Sequence, residues 1–572
     1  MSIVVEKPGY TLTVANDGLR ATLGPPAGDP WLTLRPHAAF DTTDGLDETL
    51  SVSPPREVDG RIEIERRSTL WNRAVVTLEC SETQVVVRSS VSGRGSLADV
   101  NLLALRSLLA DRPSGLLPSG YDVGRVTKLF CANPAHPTGI RPVYEPAVIG
   151  VTGDGEPGRH HWFFTPAPLY FAWAEEDERE WLDLAIAAPV EELTFVEVAY
   201  APRDGGFHLR LEYEGHTAVE GEFEAPALVL TAGVPDPSTG LRRHRDDLAA
   251  LGAAPPVEER ERPGWWSEPI FCGWGAQFHL FQTRGGTPME HATEANYDGF
   301  LETLEREGLR PGIVVLDDKW QTAYGTNEPD AAKWPDLRSW IARRHEQGRH
   351  VLLWWKAWDP EGLPPELCIR TPDGIPLAVD PTNPEAREEL ARQVKAMLGP
   401  DGLDADGLKI DFTARTPSGR ALETHGSGWG LALLHELLSI TYGAVKDAKP
   451  EALVITHTPH PSFADVTDMI RLNDIVQTDD PNPTARVVAQ MRHRAQVAHA
   501  AVPELLVDTD DWCVPNLREW RDYVEAKPAL GVPSLYYSRA VDATGEQFEE
   551  RDYEALRRTW AAWREARART LR

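Results

Sequence analysis

The stretch Asp404-Ala405-Asp406-Gly407-Leu408-Lys409-Ile410-Asp411-Phe412 opens polar and glycine-containing, then becomes a short alternating run. Side chains on a strand alternate faces, so Leu408, Ile410 and Phe412 are expected on one face and Lys409 and Asp411 on the other. A lysine and an aspartate two apart at a strand end form either a surface ion pair on an edge strand or part of a site. What the chain gathers around them decides between the two.

Seven further strand-like runs accompany this one: Pro269–Trp274, Gly312–Asp317, His350–Lys356, Ala452–His457, Asp474–Thr478, Glu504–Asp508 and Pro533–Ser538. Helical patterns lie between most of them. Tyr297, Phe300, Leu301 and Leu304 recur at i, i+3, i+4, i+7 and are closed by Gly308. Asn383-Pro384 reads as N-cap and first helical residue, followed by Ala386, Leu390, Val394 and Met397 on one face. Eight β/α units over roughly 300 residues make a TIM (β/α)8 barrel the expected fold, with a doubly wound open sheet as the alternative.

Upstream the texture is β. Alternating runs such as Arg61–Glu65, Ala74–Leu78, Gln84–Arg88, Leu193–Val198 and Phe207–Tyr213, punctuated by Gly, Pro and Asp, predict an N-terminal antiparallel β-sandwich. Trp162-Phe163-Phe164 and Tyr170-Phe171-Ala172-Trp173 read as its core. From Pro235 the pattern breaks, a helical segment carries Leu241, Leu248 and Leu251, and Pro/Gly-rich stretches follow. The expected division is a sandwich over 1–240, a linker helix over 241–264 and a barrel over 265–572.

The 572 residues carry a formal net charge of −30, which disfavours phosphate backbones and anionic membranes as partners. No window approaches a membrane span and no secretory signal is read at the N-terminus. Five scattered cysteines without a CxxC pair suit a reducing cytoplasm. The nineteen tryptophans supply flat faces for cores or sugars alike. Whether the chain forms a homo-oligomer stays open.

Barrel chemistry sits at the C-terminal ends of the strands, and there the acidic residues collect. The second strand runs into Asp317-Asp318-Lys319-Trp320-Gln321 and the third into Trp354-Trp355-Lys356-Ala357-Trp358-Asp359. The fourth ends in Lys409-Ile410-Asp411 and the fifth in Thr456-His457. Arg471-Leu472-Asn473-Asp474 with Asp479-Asp480 lies around the sixth, and Asp508-Thr509-Asp510-Asp511-Trp512 ends the seventh. Carboxylates interleaved with Trp describe a sugar-sized polar pocket; an oxygen-rich Mg²⁺ site is the rival. HExxH, Walker and GxSxG motifs are absent. Trp274, Trp320, Trp354 and Trp355 are candidate ring platforms, with barrel packing the competing role for each, and Lys356 is a candidate substrate contact on the same rim.

The order of these motifs, DDxWQ, a Trp-rich third strand, LKIDF and an Arg–Asp pair near strand six, resembles glycoside hydrolase families 36, 27 and 31. Family 36 is the nearest, because a β-sandwich precedes its barrel. The resemblance implies a retaining, exo-acting α-glycosidase, α-galactosidase-like, acting on an oligosaccharide or glycoside without cofactor or metal. Asp411 matches its nucleophile, Lys409 a hydroxyl-binding lysine, and Asp317 and Asp318 the paired aspartates that bind ring hydroxyls. Asp474 is the best match for the acid/base, Asp480 or Asp479 the alternates, and Arg471 a substrate or backbone contact. Lys319 departs from the small residue, usually Gly, of α-galactosidases, and no C-terminal β-domain is expected after the eighth unit. Other sugars of the same clan, an α-glucoside or a β-L-arabinopyranoside, and a non-catalytic sugar-binding barrel remain alternatives. The retaining reaction needs an ionised and a protonated carboxyl about 5–5.5 Å apart. Lys409 is expected to hold Asp411 ionised, and desolvation beside another carboxylate to keep Asp474 protonated.

Overall fold

The computed structural model describes residues 2–105, 126–133, 139–152, 164–203, 206–257, 262–475 and 486–570. The strands up to Val234 are antiparallel. Four, from Ile3–Glu6 to Leu32–Leu34, form one sheet, and fourteen form a second around the long paired strands Gln84–Leu102 and Gly206–Glu224. Strand Arg73–Cys80 alternates buried and half-buried residues, the period-2 signature of a sheet covered on one face. Phe164, Tyr170, Phe171 and Trp173 are buried in the core as the sequence predicts; Trp162 and Phe163 lie outside the described residues.

Helix Pro237–Ala250 follows, with the Asp236 side chain accepting the Thr239 N–H at 2.9 Å. Leu241 and Leu248 are buried, but Leu251 lies just past the helix end and is half exposed. Arg245 of this helix donates to Glu504 at 2.6 Å, both fully buried, fastening it to the approach of the seventh barrel strand.

The barrel is a ring of eight parallel strands: Ile270–Cys272, Ile313–Leu316, His350–Lys356, Gly407–Asp411, Leu453–Thr456, Met469–Arg471, Leu506–Asp508 and Ser534–Leu535. Each pairs with its neighbour, the first pairs with the eighth, and a parallel bridge between Asp508 and Val532 closes the ring. Thr293 and Asn383 cap helices Glu294–Arg306 and Pro384–Leu398, whose periodic apolar residues are buried. Seven strands fall where the sequence places them, give or take end residues. The sixth does not. It is Met469–Arg471, not Asp474–Thr478, because Asn473 turns left-handed (φ 65°) and ends the extended run. Residues 476–478 lie outside the described ones. This puts Arg471 on a strand end and Asp474 in the loop above it.

The fourth strand needs the glycine that opens it. Gly407 has φ 155°, and a Cβ there would lie 2.0 Å from the Leu453 carbonyl oxygen of the fifth strand. Phe412 does not continue the Leu408/Ile410 face: at φ 59° it leaves the strand just after Asp411. Gly407→Ala is expected to lower unfolding free energy by about 3 kcal/mol through forced separation of strands four and five. Urea denaturation measures this, and a loss under about 1 kcal/mol would show that the two strands part cheaply.

Candidate active site

Alternation on the fourth strand points Lys409 into the barrel between strands one and two. Its Nζ donates to Asp317 Oδ2 at 2.7 Å and sits 3.4 Å from Cys272 Sγ, while the Cys272 thiol donates to the same Asp317 oxygen at 2.9 Å. All three are buried. Burial works against the Lys409 charge, but Asp317 outweighs it and holds the ammonium protonated. The Asp317 backbone N–H donates to Tyr297 Oη at 2.8 Å, and Tyr297 donates onward to Gln277 at 2.8 Å. Asp318, next along, accepts from Tyr324 Oη at 2.7 Å. Burial, followed by the charges of Asp317 and Asp411, pushes its pKa up to about 6 against the Tyr324 bond.

Asp411 closes the strand with both oxygens occupied. Oδ1 accepts from Arg471 Nη2 at 2.9 Å and from the Phe412 N–H at 2.8 Å, and Oδ2 from Trp354 Nε1 at 3.1 Å. Burial pushes this carboxyl up, but Arg471 foremost, with Lys409 and the Phe412 N–H, pulls it well below the usual carboxylate range. Its side chain keeps 21% of its surface open to the cleft.

Arg471 reaches two more carboxylates through Nη1: Asp510 Oδ2 at 3.0 Å and Asp474 Oδ1 at 3.4 Å. Arg471, expected from the sequence to contact substrate or a backbone carbonyl, forms a shared ion pair with these three carboxylates. Asp474 keeps 41% of its side-chain surface exposed. Desolvation drives its pKa up to about 7; Arg471 opposes the rise and the charges of Asp510 and Asp411 assist it. One guanidinium bonded to both Asp411 and Asp474 brings the two carboxyls, from strand four and from the loop after strand six, into a single cluster. Asp480 and Asp479 lie outside the described residues.

The tryptophans divide. Strand register sets Trp354 opposite Lys409, and Lys356 opposite Asp411, on the inward face. Trp355 takes the other face and is buried in the apolar core, so packing and not ligand contact is its place. Trp320 is likewise fully buried, donating to the Trp354 carbonyl at 2.8 Å. Trp274 is half-buried at the mouth with its ring edge-on to Trp512 at 5.8 Å. Lys356 pairs with Asp359 at 2.7 Å and lies 4.0 Å over the Tyr324 ring. Lys319 pairs with Glu361 and lies 3.5 Å over the same ring. Its φ of 85° lies in the left-handed region that glycine adopts most readily.

Sequence reasoning left Cys272, Tyr297 and Tyr324 without a site role and placed Asp510 only as one of several rim acids. Among the described residues, no group of three or more His, Cys, Asp or Glu converges to hold a metal ion, and no helix is long and apolar enough to cross a membrane.

No family model and no curated protein matches the chain. Solved structures do. A GH31 family sulfoquinovosidase from E. rectale, in complex with an aza-sugar inhibitor, is 11% identical with TM-score 0.61, over 98% of this chain and 82% of that one. The α-galactosidase of Thermus thermophilus in complex with stachyose is 16% identical with TM-score 0.52, over 88% and 98%. The GH36 α-galactosidase AgaB of Geobacillus stearothermophilus is 11% identical with TM-score 0.53, over 98% and 84%. The chain shares the fold of GH31 and GH36 enzymes, a (β/α)8 barrel preceded by antiparallel sheets.

Lys409→Met is expected to cost about 3–5 kcal/mol, since it strands Asp317 as a buried unpaired charge. A double-mutant cycle with Asp317→Asn should recover a large part of that loss, measured by urea unfolding; additive losses would show that the pair does not interact.

Proposed function

We propose that this chain is a retaining, exo-acting α-glycosidase, α-galactosidase-like, with Asp411 as nucleophile and Asp474 as acid/base. One observation carries the reading. Two carboxyls meet at one buried guanidinium with opposite shifts in proton affinity, Asp411 lowered and held ionised, Asp474 raised to about 7. The likeness to glycosidases of GH31 and GH36 supports it.

In the proposed reaction Asp411 attacks the anomeric carbon while Asp474 donates its proton to the departing glycosidic oxygen, leaving a covalent glycosyl-aspartate. Asp474, now ionised, then takes a proton from the water that releases the sugar. Trp354 Nε1 and the Phe412 N–H fix the attacking carboxylate, a positional restraint set before substrate arrives. Asp318, held by Tyr324 and half-buried, accepts a sugar hydroxyl; Lys356 and Trp274 line the approach. Asp317 and Lys409 act from beneath, each saturating the other.

The sugar is the finer part of the proposal. Similar structures act on, or bind, several sugars, and Lys319, paired with Glu361, stands where the resemblance to α-galactosidases implies a small residue. A panel of nitrophenyl glycosides spanning α-galactoside, α-glucoside, α-xyloside and β-L-arabinopyranoside tests it, with α-galactoside expected to be turned over fastest. Binding by calorimetry with no turnover of any member would instead favour a sugar-binding barrel. The division at 1–240, 241–264 and 265–572 belongs to the same reading. Five free thiols support a reducing, cytoplasmic setting.

Asp411→Asn is expected to lower kcat by several orders of magnitude. Asp474→Asn should spare aryl glycosides with good leaving groups and cripple poor ones; uniform loss across leaving groups would move the acid/base role elsewhere. The pH sign follows from the two carboxyls. Asp474 must hold its proton, so kcat/KM is expected to fall as pH rises through about 7. Asp411 must be ionised, and with its proton affinity depressed kcat should stay flat on the acid side through the ordinary carboxylate range. A shallow loss of kcat/KM near pH 6 is expected from protonation of Asp318, which binds the sugar; a steep acid limb in kcat near pH 5 would contradict the assignment.

A further inference from the structure

Asp508 ends the seventh strand and Asp510 and Asp511 follow it; their surroundings separate the three. Asp508 accepts the Asp510 N–H at 2.9 Å and the Ser534 hydroxyl. Asp511 pairs with Lys527 at 2.6 Å and accepts from Trp520 Nε1 at 3.2 Å and the Tyr536 N–H at 3.1 Å. Both are consumed by the frame of the barrel. Asp510 is fully buried and faces the site instead. Its Oδ1 accepts the N–H groups of Asp511 at 2.6 Å and Trp512 at 3.0 Å, while Oδ2 accepts Arg471 Nη1 at 3.0 Å. Its backbone is left-handed, φ 51°, a conformation Asp tolerates better than most residues.

Arg471 Nη1 therefore has two competing acceptors. Asp510, rigidly aimed by two backbone donors, takes the short bond; Asp474 takes the long one at 3.4 Å. We propose that Asp510 is a positioning residue that holds this arm of Arg471 away from Asp474, and so sets how one guanidinium is shared between the two reacting carboxyls. The inference rests on the assignment of Asp411 and Asp474 above.

The charges facing Asp474 come from four elements. Arg471 lies on the sixth strand, Asp510 and the Cys513 thiol in the loop after the seventh, and Asp411 and Lys409 on the fourth. Arg494, from helix Val487–Ala501, donates to the carbonyls of Leu472, Asn473 and Asp474 at 2.8, 2.8 and 2.6 Å. Removing the Asp510 charge changes two terms in the same direction. A negative neighbour that favours the protonated Asp474 is lost, and Nη1 is released to bond the ionised form. Both weaken the hold of Asp474 on its proton.

Asp510→Asn removes the charge with little change of shape, and Asp510→Ser removes it while leaving a hydroxyl to accept the Trp512 N–H. In the full-length enzyme, kcat/KM against pH is measured with the nitrophenyl glycoside that the wild type turns over and with an unactivated disaccharide of the same sugar. In either variant the alkaline limb is expected about one pH unit lower, since a charge at this range moves a carboxyl by roughly 1–3 units. The deficit should reach roughly tenfold at pH 8 on the disaccharide, one unit of limb shift, and shrink toward pH 5. A pH-independent loss with the limb unmoved, in whichever variant folds, overturns the inference and leaves Asp510 a structural residue. A wild type inactive on every glycoside fails the functional reading instead, so the two failures are told apart.

Discussion

Lys409 and Arg471 are two cations buried inside the barrel mouth, and neither can remain charged there without carboxylates drawn from other strands. Desolvating an ion costs several kcal/mol, recovered only by close, hydrogen-bonded partners. Lys409 of strand four finds Asp317 after strand two; Arg471 of strand six finds Asp411 of strand four and Asp510 after strand seven. These cross-barrel pairs fix the strand ends relative to one another. They also shape the electrostatics: the carboxylate locked to the guanidinium, Asp411, has its proton affinity lowered, while Asp474, desolvated at the edge of the same guanidinium and beside other carboxylates, has its proton affinity raised. The frame and the acid–base asymmetry thus have a common origin.

The antiparallel sheets take part in this arrangement. Glu214 accepts from the Ser418 hydroxyl at 2.5 Å, the Gly419 N–H at 3.0 Å and Trp429 Nε1 at 3.1 Å, and His216 stacks on Trp429 with ring centres 3.5 Å apart. Together they grip the loop that follows Asp411. Thr165 donates its N–H to the His457 carbonyl at 3.0 Å, and its hydroxyl meets that of Thr413, which in turn bonds His457 Nε2 at 2.6 Å. Burial, then Arg471, pushes His457 down to about 3, so a neutral ring abuts the charged cluster. The loop that follows Asp411 is braced from both sides.

Much of this was legible in the residues, for a physical reason in each case. Lys409 and Asp411 share a face because a strand has period two, and helix Pro384–Leu398 is marked by its cap and apolar stripe. The sixth strand was misplaced because Met469-Ile470-Arg471 is buried on both faces and shows no alternation, while the turn at Asn473 depends on backbone conformation. Adjacent Trp354 and Trp355 must point opposite ways, but which faces inward follows from register against Lys409, a long-range fact. Asp510 is indistinguishable from Asp508 and Asp511 in sequence; only the packing around each reveals their different partners. Cys272 offered no signal, a single small residue whose meaning lies in the Asp317 and Lys409 it touches.

The central claim is that Asp411 becomes covalently bonded to sugar while Asp474 does not. Trapping the enzyme with a 2-deoxy-2-fluoro glycosyl fluoride of the preferred sugar, followed by protease digestion and mass spectrometry, tests it directly. The account predicts a stoichiometric label on the peptide containing Asp411. A label on any other carboxylate, or an enzyme that turns over its substrate with no trappable adduct and with inverted product configuration, would contradict it.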